Sequence, residues 1–234
     1  MSLILTAHGT RRQAGVAMIG DLAARVGEIL DRSIMVAFVD VVGPTPSEVL
    51  SNLPGGPAIV LPAFLSRGYH VRADLPAHIE ASGHPDVLVT PALGPSRDIT
   101  RLIYQNLVES GWAHSDSVIL AAAGTSDRRA RADLDQAAAL LSTMTGSPVA
   151  LGFAATGSPH IRDAVTDARR RGARRVVVAS YLLADGLFQE RLDDCGADLV
   201  TRPLGTHPEL AGLVAGRFRH AAVRSGGALY QRTA

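Results

Sequence analysis

The chain writes one phrase twice. Leu3–Thr10 reads LILTAHGT, and 115 residues later Val118–Thr125 reads VILAAAGT. The correspondence continues in order. AFVD at 37–40 lies over GFAA at 152–155, FLSRGYH at 64–70 over LLADGLF at 182–188, and VTPALG at 89–94 over VTRPLG at 200–205. Apolar runs recur in many chains, but shared GT and LG endings in the same order mark an internal duplication. Whatever fold one half adopts, the other must adopt as well.

Within each half, short apolar runs alternate with longer segments of helical period, the signature of βα units on a parallel sheet. Strands are expected near 2–7, 34–40, 57–63 and 87–91, with helices near 12–30, 46–53, 74–82 and 96–110. The second series places strands near 117–123, 148–154, 174–182 and 197–201, and helices near 128–144, 158–172, 187–194 and 207–221. The pattern predicts an α/β fold of two tandem doubly wound parallel-sheet domains related by duplication, each in the flavodoxin-like order 2-1-3-4. The expected domains are 1–112 and 113–224, followed by a flexible tail at 225–234. In such sheets a ligand binds outside the carboxyl ends of the strands, where the chain direction switches between strands 1 and 3.

That edge is where the halves differ. His8 follows the first strand, Asp40 ends the second, and His70 comes a few residues after the third. Their counterparts are Ala123, Ala155 and Phe188, all apolar. Two imidazoles and a carboxylate at one switch point are costly to bury without a task. Imidazole titrates near neutrality, so it can accept a proton or offer a lone pair to Fe²⁺, Co²⁺ or Ni²⁺. A structural zinc site closes with four protein ligands; the incomplete set here suits a metal that must leave again. Arg11, Arg12, Arg67 and Arg72 stand in the same loops, and the amides at the following helix start add positive potential. A planar, polyanionic, nitrogen-rich ligand would fit. The other histidines, His78, His84, His114, His160, His207 and His220, show no metal-type spacing and read as surface or cap residues.

Composition narrows the field. The 23 basic residues are all arginine, which excludes a Walker-type phosphate loop and a lysine Schiff base. The net charge of +1 gives no general case for nucleic acid or an anionic membrane. Cys195 is the only cysteine, so no intrachain disulfide and no thiolate cluster can form. No run approaches the roughly 20 apolar residues of a membrane span, and the start MSLILTAHGTRR lacks a signal-peptide pattern. A cytoplasmic location is expected, with neither nucleic-acid nor membrane partners.

LTAHGTRR, followed by LPAFLSRGYHVRADLP at Leu61 to Pro76, resembles the sirohydrochlorin chelatases, the class II chelatases of the CbiX and SirB type. Their pattern places HG after the first strand, then a proline, an FL pair, a glycine and a histidine after the third, and a DIP-like helix start, here Asp74-Leu75-Pro76. The resemblance covers both halves, the second in degenerate form. It implies an ATP-independent lyase that inserts Fe²⁺, the preferred metal, or Co²⁺ into sirohydrochlorin, for siroheme or cobalamin synthesis. The metal is then a substrate, and no tightly bound cofactor is expected. His8 would take the pyrrole protons and help hold the metal, and His70 would be a second metal ligand. Asp40 stands where many members carry glutamate and is the third candidate ligand. Ser66, Arg67, Gly68 and Tyr69 would contact the macrocycle, with Arg11, Arg12, Arg67 and Arg72 for its carboxylates. With both halves in one chain, a monomer is expected and a homodimer stays open. Two rivals use the same histidines: a non-catalytic carrier of metal or tetrapyrrole, and a ferrochelatase acting on another porphyrin. A histidine phosphatase would need arginine just before the histidine, where this chain has Ala7.

Overall fold

The computed structural model of the chain describes residues 1–226. Two separate four-stranded parallel sheets form, with the orders β2-β1-β3-β4 and β6-β5-β7-β8. The first comprises β1 (Ser2–Ala7), β2 (Ile34–Phe38), β3 (Ala58–Pro62) and β4 (Val87–Val89). The second comprises β5 (Ser117–Ala122), β6 (Val149–Phe153), β7 (Val176–Ser180) and β8 (Leu199–Val200). The expected order 2-1-3-4 is present in both. Central strands β3 and β7 are buried along their whole length, as strands covered on both faces must be.

The helices follow the expected alternation: α1 (Gln13–Leu30), α2 (Pro46–Ser51), α3 (Leu75–Ser82), α4 (Arg97–Glu109), α5 (Arg128–Thr145), α6 (Ile161–Arg170), α7 (Leu187–Asp193) and α8 (Leu210–Arg224). Their ends have local causes. Pro46 stands at the start of α2, and Thr45 and Glu48 form a reciprocal capping box there. The backbone hydrogen bond that Glu48 accepts from Thr45 holds its carboxyl below the usual range. Gly83 and Gly146 end α3 and α5 in the left-handed conformation.

The compact units do not follow the two sequence halves. One unit contains Met1–Phe64, Tyr69–Leu93 and the segment from Pro208; the other contains Leu65–Gly68 and Gly94–His207. Each half therefore contributes its last helix to the unit built on the other half's sheet. In the first unit α8 packs on α1 and β3, and Arg219 donates to the Ile29 carbonyl at 3.0 Å. In the second, α4 packs on α5 and β7. Ile4, Ala37, Val39, Leu50, Val60 and Leu75 fill one core layer of the first unit. Ile119, Ile161, Val165, Val176, Val178 and Leu192 fill one layer of the second. Of the expected tail, Ser225 closes α8 and Gly226 follows with φ +71°; positions 227–234 lie outside the described residues.

Two departures from the expected boundaries bear on the site. β2 stops at Phe38 rather than 40, because the chain turns back at Val41. Ahead of α3, His70–Asp74 forms a π-helical turn, so the helical run begins before the expected start at 74.

Candidate active site

The loop after β1 is shaped by its neighbour. The amides of Val39 and Asp40 donate to the carbonyls of Ala7 and His8, both at 3.0 Å, prolonging the β1–β2 ladder past the strand end. Gly9 then takes φ +101°, and a Cβ there would collide with the Asp40 carbonyl oxygen. Only glycine combines that conformation with that approach. The HG pair is thus half scaffold: Gly9 allows the turn that leaves His8 exposed at the carboxyl edge.

His70 arrives from the other side of the switch point. Its ring meets the His8 ring edge-on, with centroids 4.3 Å apart and planes at 83°. Phe64 lies nearly parallel behind it, centroids 6.3 Å apart, while packing on the core layer of the unit. Tyr69, 64% exposed, stands edge-on to His70 at 6.2 Å. The Nδ1 of His70 is 2.5 Å from Oδ2 of Asp74, and the Nδ1 of His8 is 3.1 Å from the Gly9 carbonyl. Carbonyls and ionised carboxylates only accept, so in both contacts Nδ1 is the nitrogen that donates when it carries the hydrogen. Neither Nε2 takes part in a described hydrogen bond.

The first unit brings together His8, His70 and Tyr69. Asp40 does not join the imidazoles: among the described residues no group of three or more His, Cys, Asp or Glu side chains could hold a metal ion. Its carboxylate instead accepts from the Val41 amide at 2.7 Å, while the Val42 amide donates to the Asp40 carbonyl at 2.8 Å. Between these bonds Val41 is held at φ +71°, an unusual conformation for a β-branched residue, with its side chain 43% exposed.

Arg11 and Arg12 are exposed at the start of α1, whose N-cap, Arg12, makes no side-chain capping bond. Arg72 is exposed within the π-turn. Arg67 has a different task from the one expected. It belongs to the second unit, where its guanidinium grips Asp133 through Nε at 3.1 Å and through Nη2, and its amide donates to the same carboxylate at 2.8 Å. The Asp133 side chain is 4% exposed, and its hydrogen bond raises the Arg67 pKa further above the usual range. Ser66 and Gly68 share that segment, with the glycine near Ala130. Tyr181 donates from its hydroxyl to the Leu65 carbonyl at 2.8 Å; burial first, then Asp133, raises its pKa well above the usual phenol value.

The remaining histidines are structural wherever their contacts are described. His78 ties Ser47 and the Val39 carbonyl, His84 reaches the Pro54 carbonyl and the Asp86 amide, and His160 caps α6. Sequence reasoning took Asp74 only as a helix start and missed its bond to His70. The signal available was the four-residue spacing between them. Asp133 and Tyr181 had no local signal, because their partners lie 66 and 116 residues away.

The family model for CbiX matches the chain twice, over residues 2–110 and 117–221. The chain is 26% identical over 229 residues to a sirohydrochlorin ferrochelatase of Priestia megaterium, covering 90% of this chain and 86% of that one. It is 24% identical over 208 residues to a sirohydrochlorin cobaltochelatase of the same organism, covering 82% and 67%. In fold it is similar to SirB from Bacillus subtilis with Fe³⁺, at a TM-score of 0.79 and 19% identity over 96% of both chains.

Proposed function

The chain belongs to the CbiX family, and from that premise we propose that it is a sirohydrochlorin chelatase, inserting Fe²⁺ or Co²⁺ into the tetrapyrrole without ATP. The observation that carries this reading is the His8–His70 pair, edge-on at 4.3 Å at the switch point of the first sheet. The relatives named for iron and for cobalt insertion act on the same macrocycle, so both metals are natural substrates to try. Fe²⁺ is the first choice.

The chemistry asks for few groups. A divalent ion exchanges some of its water for the two Nε2 lone pairs, and two imidazoles leave most of its coordination positions open. Pyrrole nitrogens fill those positions as their two N–H protons depart. His8, the more exposed of the pair, passes protons to solvent; a positioned base contributes about 10²- to 10⁴-fold. Holding metal and ring together adds proximity. Arg11, Arg12 and Arg72 receive the carboxylates, helped by the backbone amides at the start of α1. Tyr69 and Val41 supply exposed apolar surface for the flat ring. Arg67 is not among the carboxylate receptors, since its charge is spent on Asp133. Cys195, unpaired and buried, suits a reducing cytoplasmic setting.

An anaerobic absorbance assay with excess sirohydrochlorin and either metal tests the proposal. The free-macrocycle band should disappear over many equivalents per chain, with the rate lowered about 10²- to 10⁴-fold in His8→Ala and His70→Ala. No acceleration over the protein-free control would refute it. Conversion that stops at one equivalent would make the protein a carrier.

A further inference from the structure

We propose that Asp74 is a positioning residue, which keeps the hydrogen of His70 on Nδ1 and so leaves the Nε2 lone pair to the incoming metal ion. The metal-binding part of this inference rests on the chelatase reading above; the tautomer part does not.

Three observations converge on it. First, Asp74 is the only described hydrogen-bonding partner of the His70 side chain, at 2.5 Å, and both side chains are partly shielded, at 33% and 28% exposure. An unsupported imidazole carries its hydrogen on either nitrogen, and the partner of one nitrogen decides what the other can do. Second, Asp74 is the last residue of the π-turn and runs on into α3 with helical φ −67° and ψ −48°, so its side chain is not needed to cap a helix end. Its carboxylate makes no bond to the amides of α3 and turns back one turn to His70. Third, the pair sits in the π-turn His70–Asp74, in which the Leu75 amide reaches back to the His70 carbonyl. A widened turn of this kind is rare and concentrates at functional sites. The local sequence thus forgoes a regular turn at the place where the carboxylate meets the imidazole. Such a partner also makes the imidazole a better lone-pair donor, and its loss typically lowers metal affinity 10- to 100-fold.

The test uses the full chain without tetrapyrrole. Long-range ¹H–¹⁵N correlation spectra, recorded well above neutral pH, report which His70 nitrogen carries hydrogen, and a cobalt d–d absorbance titration reports affinity. Wild type should show the Nδ1–H form. Asp74→Ala, with its fold checked by circular dichroism, should lose that preference and bind Co²⁺ about 10- to 100-fold more weakly. Asp74→Asn keeps a neutral acceptor oxygen and should fall between; it decides the matter if Asp74→Ala does not fold. The proposal is overturned by a wild-type Nε2–H form, by variants that keep both tautomer and affinity, or by a wild type that binds no Co²⁺. A chain that meets both expectations yet turns over no sirohydrochlorin would uphold Asp74 and refute the chelatase reading instead.

Discussion

The loop after β1 and the loop after β5 share a backbone and carry opposite side chains. Gly9 at φ +101° and Gly124 at φ +119° make the same turn, and a Cβ on either would collide with a carbonyl oxygen, of Asp40 or of Thr156. Ala123, like His8, accepts from an amide beyond the neighbouring strand, at 2.9 Å. Each threonine hydroxyl accepts from the amide two residues on, at 3.2 Å from Arg12 and 3.0 Å from Asp127. The helix caps then diverge. Asp127 caps α5 by accepting from the amides of Arg129 and Ala130, whereas the corresponding Arg12 provides α1 with no side-chain cap. The loops after the third strands differ in the same sense. In the second half, Gln189 closes a network with Ser180, Asp193 and Thr201; in the first, the His70 side chain is hydrogen-bonded to Asp74. The second copy turns these polar groups on itself, and the first places two imidazoles edge-on at 4.3 Å instead.

The contrast can be broken at several points. The largest effect is expected at Arg67, which this account makes structural although it lies in the SRGYH segment. Arg67→Ala would leave the buried Asp133 carboxylate with the amide of residue 67 in place of a guanidinium that is itself 61% exposed, and cost about 3 kcal/mol in chemical denaturation for the bonds lost to a charged group. Unchanged stability with weaker tetrapyrrole binding would return Arg67 to the substrate. Next come the paired glycines. Gly9→Ala and Gly124→Ala should each destabilise by about 2 kcal/mol, but only Gly9→Ala should also lose metal insertion, because it alone moves a histidine. Equal activity losses would mean that both loops carry chemistry. The smallest effect is the one that trades function for stability: Arg12→Asp restores the cap its counterpart has, and should stabilise by about 1 kcal/mol. The same change should raise the KM for sirohydrochlorin about tenfold as a cationic receptor becomes an anion. A stabilised variant with unaltered KM would remove Arg12 from the receptor set.

Much of this was legible in the sequence because the duplication supplied its own control. Lining up HGT with AGT separated scaffold from site, and the βα alternation predicted both sheet orders. Strand and helix positions follow from periods of two and 3.6 residues, which are local properties. What escaped was non-local or irregular. The hold of Asp133 on Arg67 joins positions 66 residues apart, and no local pattern encodes it. The exchange of α4 and α8 leaves every helix in its expected place along the chain while changing what it packs on. The π-turn adds a residue to one turn, so a pattern read at 3.6 residues delayed the helix and treated His70 as loop. Asp40 showed the weakness of reading a carboxylate by position: its Oδ1 accepts from the Val41 amide next door, and it joins no metal-holding group among the described residues.

The central claim is that the metal chemistry resides in one copy only, on His8 and His70. A cobalt titration of the tetrapyrrole-free chain, followed by d–d absorbance, tests it most directly. Saturation is expected at a single ion per chain, with loss of the signal in both His8→Ala and His70→Ala. Saturation at two ions, or a single ion that stays bound when both histidines are replaced, would contradict it.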